Sequence, residues 1–140
     1  MNTIYNSKSV SETERFAEEL AKKHTPPHTF CLSGDLGAGK TAFTRGIAKG
    51  YGYEGRVISP TFTIMNIYEG DTSIYHYDLY RISDEDELFD AGFELPDGLN
   101  VAVLEWYDNF AYLFEGDNIT FVKITRVGDD ERNIEVSESE

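Results

Sequence analysis

The stretch Gly34-Asp35-Leu36-Gly37-Ala38-Gly39-Lys40-Thr41 constrains this chain more than any other. The pattern G-x-x-x-x-G-K-[ST] works only between a strand that delivers it and a helix that receives it, because its backbone N–H groups surround a phosphate when the chain curls tightly between the two. The flanks supply both. Thr29-Phe30-Cys31-Leu32-Ser33 is a short apolar run that reads as a strand buried on both faces. Ala42, Phe43 and Ile47 recur at helical spacing, and Gly50 stands where a left-handed C-cap would end that helix. The glycines keep side chains out of a ligand's way, Lys40 offers a compact charge to the β- and γ-phosphates, and Thr41 offers a hydroxyl to Mg²⁺. The helix directs its positive N-terminal end at the same anion. A bare match arises by accident in roughly one chain of several hundred, and these surroundings make accident rarer still. Asp35, Leu36, Gly37, Ala38, Gly39, Lys40, Thr41 and Ala42 are therefore the candidate nucleotide-binding residues.

The rest of the chain fits around that unit. Ser11 with Glu14 three residues on reads as a capping box for a helix carrying Thr13, Phe16, Ala17, Leu20 and Ala21 on one face and ending near Lys23, where Pro26-Pro27 blocks continuation. Between Phe62 and Tyr80 a Thr-, Ile- and Tyr-rich stretch broken at Glu69-Gly70-Asp71 predicts an antiparallel pair. An acidic short helix is expected from Ser83 through Phe89, a buried strand over Val101 to Leu104, and a closing hairpin from Ile119 to Val127 with Ile134 to Val136. With 140 residues, no repeat and no linker, the expectation is a single domain, 1–140, with an acidic C-terminal tail over about 128–140. The fold class expected is α/β, a P-loop NTPase-like three-layer fold with a mixed parallel and antiparallel sheet flanked by helices.

A phosphate loop needs an acid at the end of a neighbouring apolar strand to hold Mg²⁺, directly or through water. Ile74-Tyr75-His76-Tyr77-Asp78 delivers Asp78, and Val101-Ala102-Val103-Leu104-Glu105 delivers Glu105. Both stand as candidate metal ligands with Thr41, and Lys40, Asp78 and Glu105 as the candidate catalytic set, Glu105 being placed also to orient an attacking water. The hydroxyl-rich turn Ser59-Pro60-Thr61-Phe62-Thr63 can close on a γ-phosphate through Thr61, although turn chemistry alone explains it equally well. His76 reads as a satisfied structural histidine, Trp106 and Tyr107 as packing residues, and Cys31, the only cysteine, as a core residue.

Twenty-six acidic residues against 12 basic ones give a formal charge of −14, which leaves no electrostatic footprint for direct binding of an RNA polyanion. No apolar run approaches a membrane span. The lone cysteine and the lack of a secretory signal at the N-terminus point to the cytoplasm. There is no Asn-Lys-x-Asp stretch for guanine and no arginine-rich lid, so ATP is expected rather than GTP. These features leave three readings: an ATP-hydrolysing switch, a P-loop small-molecule kinase in which Asp78 or Glu105 activates an acceptor hydroxyl, and a nucleotide-binding scaffold.

Taken together, Gly34 to Thr41, Ser59-Pro60-Thr61-Phe62-Thr63, His76-Tyr77-Asp78-Leu79-Tyr80-Arg81 and Leu104-Glu105-Trp106 resemble the bacterial TsaE (YjeE) family in order, spacing and total length, from roughly Ser7 to Thr125. The resemblance implies a cytoplasmic Mg-ATPase subunit supporting threonylcarbamoyl-adenosine formation beside the tRNA anticodon. It would act with TsaD and TsaB and meet tRNA only through them, the chemistry on tRNA belonging to TsaD. It further implies that Lys40 contacts phosphate, that Thr41, Asp78 and Glu105 lie around Mg²⁺, that Thr61 belongs to a switch-like loop, and that Trp106 lies beside the nucleotide. The acidic tail carries no family meaning.

Overall fold

Strand β2 (His28–Ser33) is buried because it runs parallel to a strand on each side, β5 (Val101–Glu105) and β6 (Ile119–Arg126). A computed structural model, describing residues 2–35, 37–58, 60, 64–114, 116 and 118–138, extends this centre to seven strands. Beyond β5 lies parallel β4 (Ile74–Asp78), which turns through a hairpin into antiparallel β3 (Met65–Tyr68). Beyond β6 lie antiparallel β7 (Arg132–Glu138) and, paired with it, β1 (Asn2–Ser7), giving the order β1-β7-β6-β2-β5-β4-β3. The sheet is mixed, as the sequence predicts.

Two apolar layers follow from strand alternation. Phe30, Leu32, Val101, Val103 and Ile74 face α1 (Val10–Lys22) and α2 (Lys40–Gly50), meeting Ala17, Leu20, Ala21, Phe43 and Ile47. Cys31, Ala102, Leu104 and Tyr77 face the other way, under α3 (Glu85–Asp90) and a 3₁₀ turn over Asp108–Leu113, against Leu88, Phe93, Phe110 and Phe114. Helices thus cover both faces, and Cys31 is a buried core thiol as expected. No helix among the described residues is long and apolar enough to cross a membrane.

Three local expectations are corrected. Helix α1 is capped by Ser9, whose hydroxyl accepts from Glu12 N–H at 3.1 Å, while the Glu12 carboxylate accepts from Lys8 N–H at 3.1 Å. The same Ser-x-x-Glu spacing therefore acts two residues before Ser11 and Glu14, and Glu14 instead reaches across to Arg45 (2.9 Å) and Lys49 (3.2 Å) on α2. At the end of α2 the left-handed residue is Gly52 (φ 90°), and Gly50 lies within the helix against α1, where a Cβ would fall 2.7 Å from Ala21 Cβ. Finally, the acidic tail expected over about 128–140 is mostly β7, a longer strand than the hairpin arm expected at Ile134 to Val136, lodged between β1 and β6 with Ile134 and Val136 alternating into the core.

At the opposite end of β2 from the glycine loop, His28 is buried, stacks on His24 at 4.0 Å and hydrogen-bonds the Thr120 hydroxyl at 2.7 Å. Desolvation, reinforced by the His24 charge and opposed by Glu138, lowers its imidazole from 6.5 to about 4. The unfolded chain takes up that proton below about pH 6.5 and the native chain does not. His28 therefore contributes stability that is whole above pH 6.5 and is lost as pH falls toward 4, by up to about 3 kcal/mol. Urea denaturation of wild type and His28→Asn across pH 4–7 is expected to show a shallower pH slope in the variant; parallel slopes would refute the assignment.

Candidate functional site

The C-terminal ends of β2, β5 and β4 stop level with one another: Leu32 is paired with Glu105, and Glu105 with Asp78. In an open α/β sheet the crevice beyond such ends is where ligands bind. From β2 the glycine loop continues directly into α2. Gly34 has no room for a side chain, since a Cβ there would lie 2.5 Å from the Ile124 carbonyl oxygen of β6. Gly37 has a left-handed backbone (φ 79°) and open space beside it, the side on which an anion can approach.

Period-two alternation sorts the strand residues. Glu105 shares the α2-facing side of the sheet with Val101 and Val103, and Asp78 shares it with Ile74 and His76. Both acids therefore stand on the face where α2 presents Lys40. Lys40 is buried, donates to Gly34 O at 2.5 Å, and lies 3.9 Å from the centroid of the Trp106 ring. Burial lowers the affinity of its amine for the proton, opposed by the charges of Glu105, Asp78, Asp108 and Asp35 in that order. Asp78 is moved the other way: burial raises its carboxyl above the usual range, Tyr80 N–H donating to Oδ1 at 3.0 Å pulls it back, and the Glu105 charge adds to the rise.

Glu105 is buried and hydrogen-bonded to His76 Nε2 at 2.5 Å. His76 is a fully buried, satisfied histidine, as its alternation with aromatic neighbours suggests, but its partner is the site's own acid. Trp106 takes a left-handed backbone (φ 58°), uncommon for a non-glycine residue. That turn at the end of β5 lets the indole meet both Lys40 and the edge of Tyr80, whose ring centroid is 5.0 Å away.

The other candidates are placed as follows. Asp35 is exposed, and its carbonyl accepts from Ala38 N–H at 3.0 Å to close the loop. Gly37 is exposed, Ala38 buried, and Gly39 precedes the helix, whose second and third residues are the half-buried Thr41 and Ala42. Leu36, Ser59, Thr61, Phe62 and Thr63 lie outside the described residues, so the nucleotide-sensing expectation for Thr61 is untouched. Among the described residues no three His, Cys, Asp or Glu side chains converge on a metal. Two carboxylates with the Thr41 hydroxyl are nonetheless the hard oxygen donors that suit Mg²⁺, which keeps waters and phosphate oxygens as its remaining ligands.

One residue of the site has no local signal in the sequence. Arg132, at the start of β7, donates through Nε to Ala38 O at 2.7 Å and through Nη2 to Gly37 O at 3.3 Å, while Nη1 holds Gly128, Asp129 and Glu131 carbonyls. It fixes the outer wall of the glycine loop from 94 residues away.

Known proteins resemble the chain over most of its length. A profile of the family described as threonylcarbamoyl adenosine biosynthesis protein TsaE matches residues 7–134. The chain is 42% identical over 125 residues to the tRNA threonylcarbamoyladenosine biosynthesis protein TsaE of Bacillus subtilis, covering 88% of this chain and 77% of that one. It is 33% identical over 132 residues to the protein so named in Treponema pallidum, covering 94% and 97%. The crystal structure of YdiB from Bacillus subtilis superimposes with a TM-score of 0.77 at 33% identity, over 99% of this chain and 86% of the other.

Proposed function

The chain belongs to the TsaE family, and from that premise we propose that it is the Mg-dependent ATPase subunit of tRNA threonylcarbamoyladenosine biosynthesis, acting in the cytoplasm with TsaD and TsaB and meeting tRNA only through them. The observation that carries the ATPase reading is the buried Lys40 ammonium, held at the mouth of the glycine loop on Gly34 O in the field of Glu105 and Asp78. In this reading ATP draws Lys40 from the Gly34 carbonyl and the Trp106 ring onto its β- and γ-phosphates. The loop N–H groups and the α2 N-terminus bind the remaining phosphate oxygens. Mg²⁺, held by Thr41, Asp78 and Glu105 together with phosphate and water, would neutralise charge developing on the transferred group. Glu105 orients the attacking water and accepts its proton. The charge of −14 supports a protein-mediated role, since a chain this acidic gains nothing from approaching tRNA itself.

Trp106 is the only tryptophan, so its emission reports on Lys40 directly. Titrating Mg-ATP into wild type is expected to change that emission and to support phosphate release that rises when TsaD and TsaB are added. In Lys40→Ala both responses should disappear. Undiminished phosphate release by Lys40→Ala would remove the site from the reaction.

A further inference from the structure

We propose that His76 is a positioning residue for Glu105, and that through Tyr68 it couples the orientation of that carboxylate to the backbone at Ile58. The proposal deepens the ATPase reading above and rests on it.

The residues form one continuous chain of hydrogen bonds across three strands. Glu105 Oε2 on β5 meets His76 Nε2 on β4 at 2.5 Å, and His76 Nδ1 meets the Tyr68 hydroxyl on β3 at 2.9 Å. The same hydroxyl lies 3.0 Å from the carbonyl of Ile58, which also accepts from Asn66 Nδ2 at 2.8 Å. Register explains how they meet. His76 is paired with Val103 on one side and Asn66 on the other, so Glu105 and Tyr68 are its diagonal neighbours on the same face of the sheet. His76 is fully buried, and Tyr68 and Glu105 are nearly so, so these three groups meet one another inside the fold.

The tyrosine has one proton for two acceptors. When Tyr68 donates to His76 Nδ1, a singly protonated ring carries its hydrogen on Nε2 and donates it to Glu105, fixing one carboxylate oxygen and leaving the other for the reaction. Asn66 then serves the Ile58 carbonyl alone. When Tyr68 instead donates to Ile58, the singly protonated ring donates from Nδ1, and its Nε2 has no hydrogen to offer Glu105. Whether the backbone at Ile58 is within reach of Tyr68 thus decides how Glu105 is held. Ile58 itself is exposed on its side-chain face, where a change in its surroundings can reach it.

The test is steady-state phosphate release by the full chain with Mg-ATP and the partner proteins, alongside Mg-ATP binding read from Trp106 emission. His76→Asn keeps a polar group near Nδ1 and loses the donor to Glu105. It is expected to lower kcat about 10- to 100-fold with the ATP dissociation constant changed less than about threefold. His76→Gln, whose amide nitrogen reaches the Nε2 position, should recover much of that loss. Tyr68→Phe removes one hydroxyl and nothing of the ring packing, and should lower kcat several-fold in wild type but not in a Glu105→Gln background. A merely structural role would reduce the folded fraction while leaving kcat per folded molecule intact. If His76→Asn and Tyr68→Phe turn over at the wild-type rate while Glu105→Gln does not, the positioning role is overturned and the ATPase reading stands. If Glu105→Gln turns over normally, Glu105 is not the base and the positioning role falls with it; if wild type with its partners releases no phosphate from Mg-ATP, the ATPase reading itself fails.

Discussion

Glu105→Gln is expected to lower phosphate release by about 10²- to 10⁴-fold, the range over which a positioned general base acts, while Mg-ATP still binds. The amide fills the same volume at the end of β5 and can still accept from His76, so the buried pocket is not emptied. What is lost is the capacity to take a proton from water and one negative charge. That charge is the largest carboxylate influence on Lys40. Without it Lys40 meets less competition and the γ-phosphate less repulsion, which offsets the loss of one anionic Mg²⁺ ligand, so the dissociation constant for Mg-ATP should stay about level. The paired signature of collapsed kcat with unweakened binding marks a group that acts in the transition state rather than in ground-state recognition. Turnover within about threefold of wild type would place the base elsewhere and leave Asp78 as the remaining strand-end acid.

Asp78 and Glu105 were separately readable as acids ending apolar strands, but their pairing across β4 and β5 came only with register. Sequence position joins His76 to them: it is two residues from Asp78 on a strand, hence on the same face, and a buried imidazole there must find a partner. Arg132 had no such signal, because its hold on Ala38 joins β7 to a loop 94 residues earlier and leaves no periodicity. The helix start was ambiguous for a different reason. Ser9 with Glu12 and Ser11 with Glu14 satisfy the same capping pattern, and the choice was made by Glu14 pairing with Arg45 and Lys49 on another helix. In β7 the alternation that carries Ile134 and Val136 inward is legible as the second strand of the closing hairpin, and what local pattern does not give is its second partner, β1. Local pattern therefore gave the loop, the central strands and the helices, and long-range packing decided caps, edges and supports.

Gly46→Ala is expected to destabilise the fold by about 1–3 kcal/mol, against the roughly 1 kcal/mol that the same change contributes to an exposed helix. Nothing in the sequence marks Gly46 beyond its presence in the middle of α2. The structure explains it: a Cβ there would lie 2.3 Å from the Glu14 carbonyl oxygen and 2.7 Å from Ala17 Cβ, both on α1. Gly50, one turn on, faces Ala21 and the Glu18 carbonyl in the same way. The two glycines form a shallow channel in which the α1 backbone rests, and the contact cannot yield through side-chain rotation because carbonyl groups form its wall. Added bulk must move α1 as a body. That movement would also stretch the Glu14 pairs to Arg45 and Lys49, and it would press on the helix whose first turn carries Lys40 and Thr41. A lower urea midpoint for Gly46→Ala, with weaker Mg-ATP binding by Trp106 emission, is the expected pair of results. A variant as stable as wild type, gaining the alanine propensity at no cost, would mean that α1 does not lie on α2 at this distance.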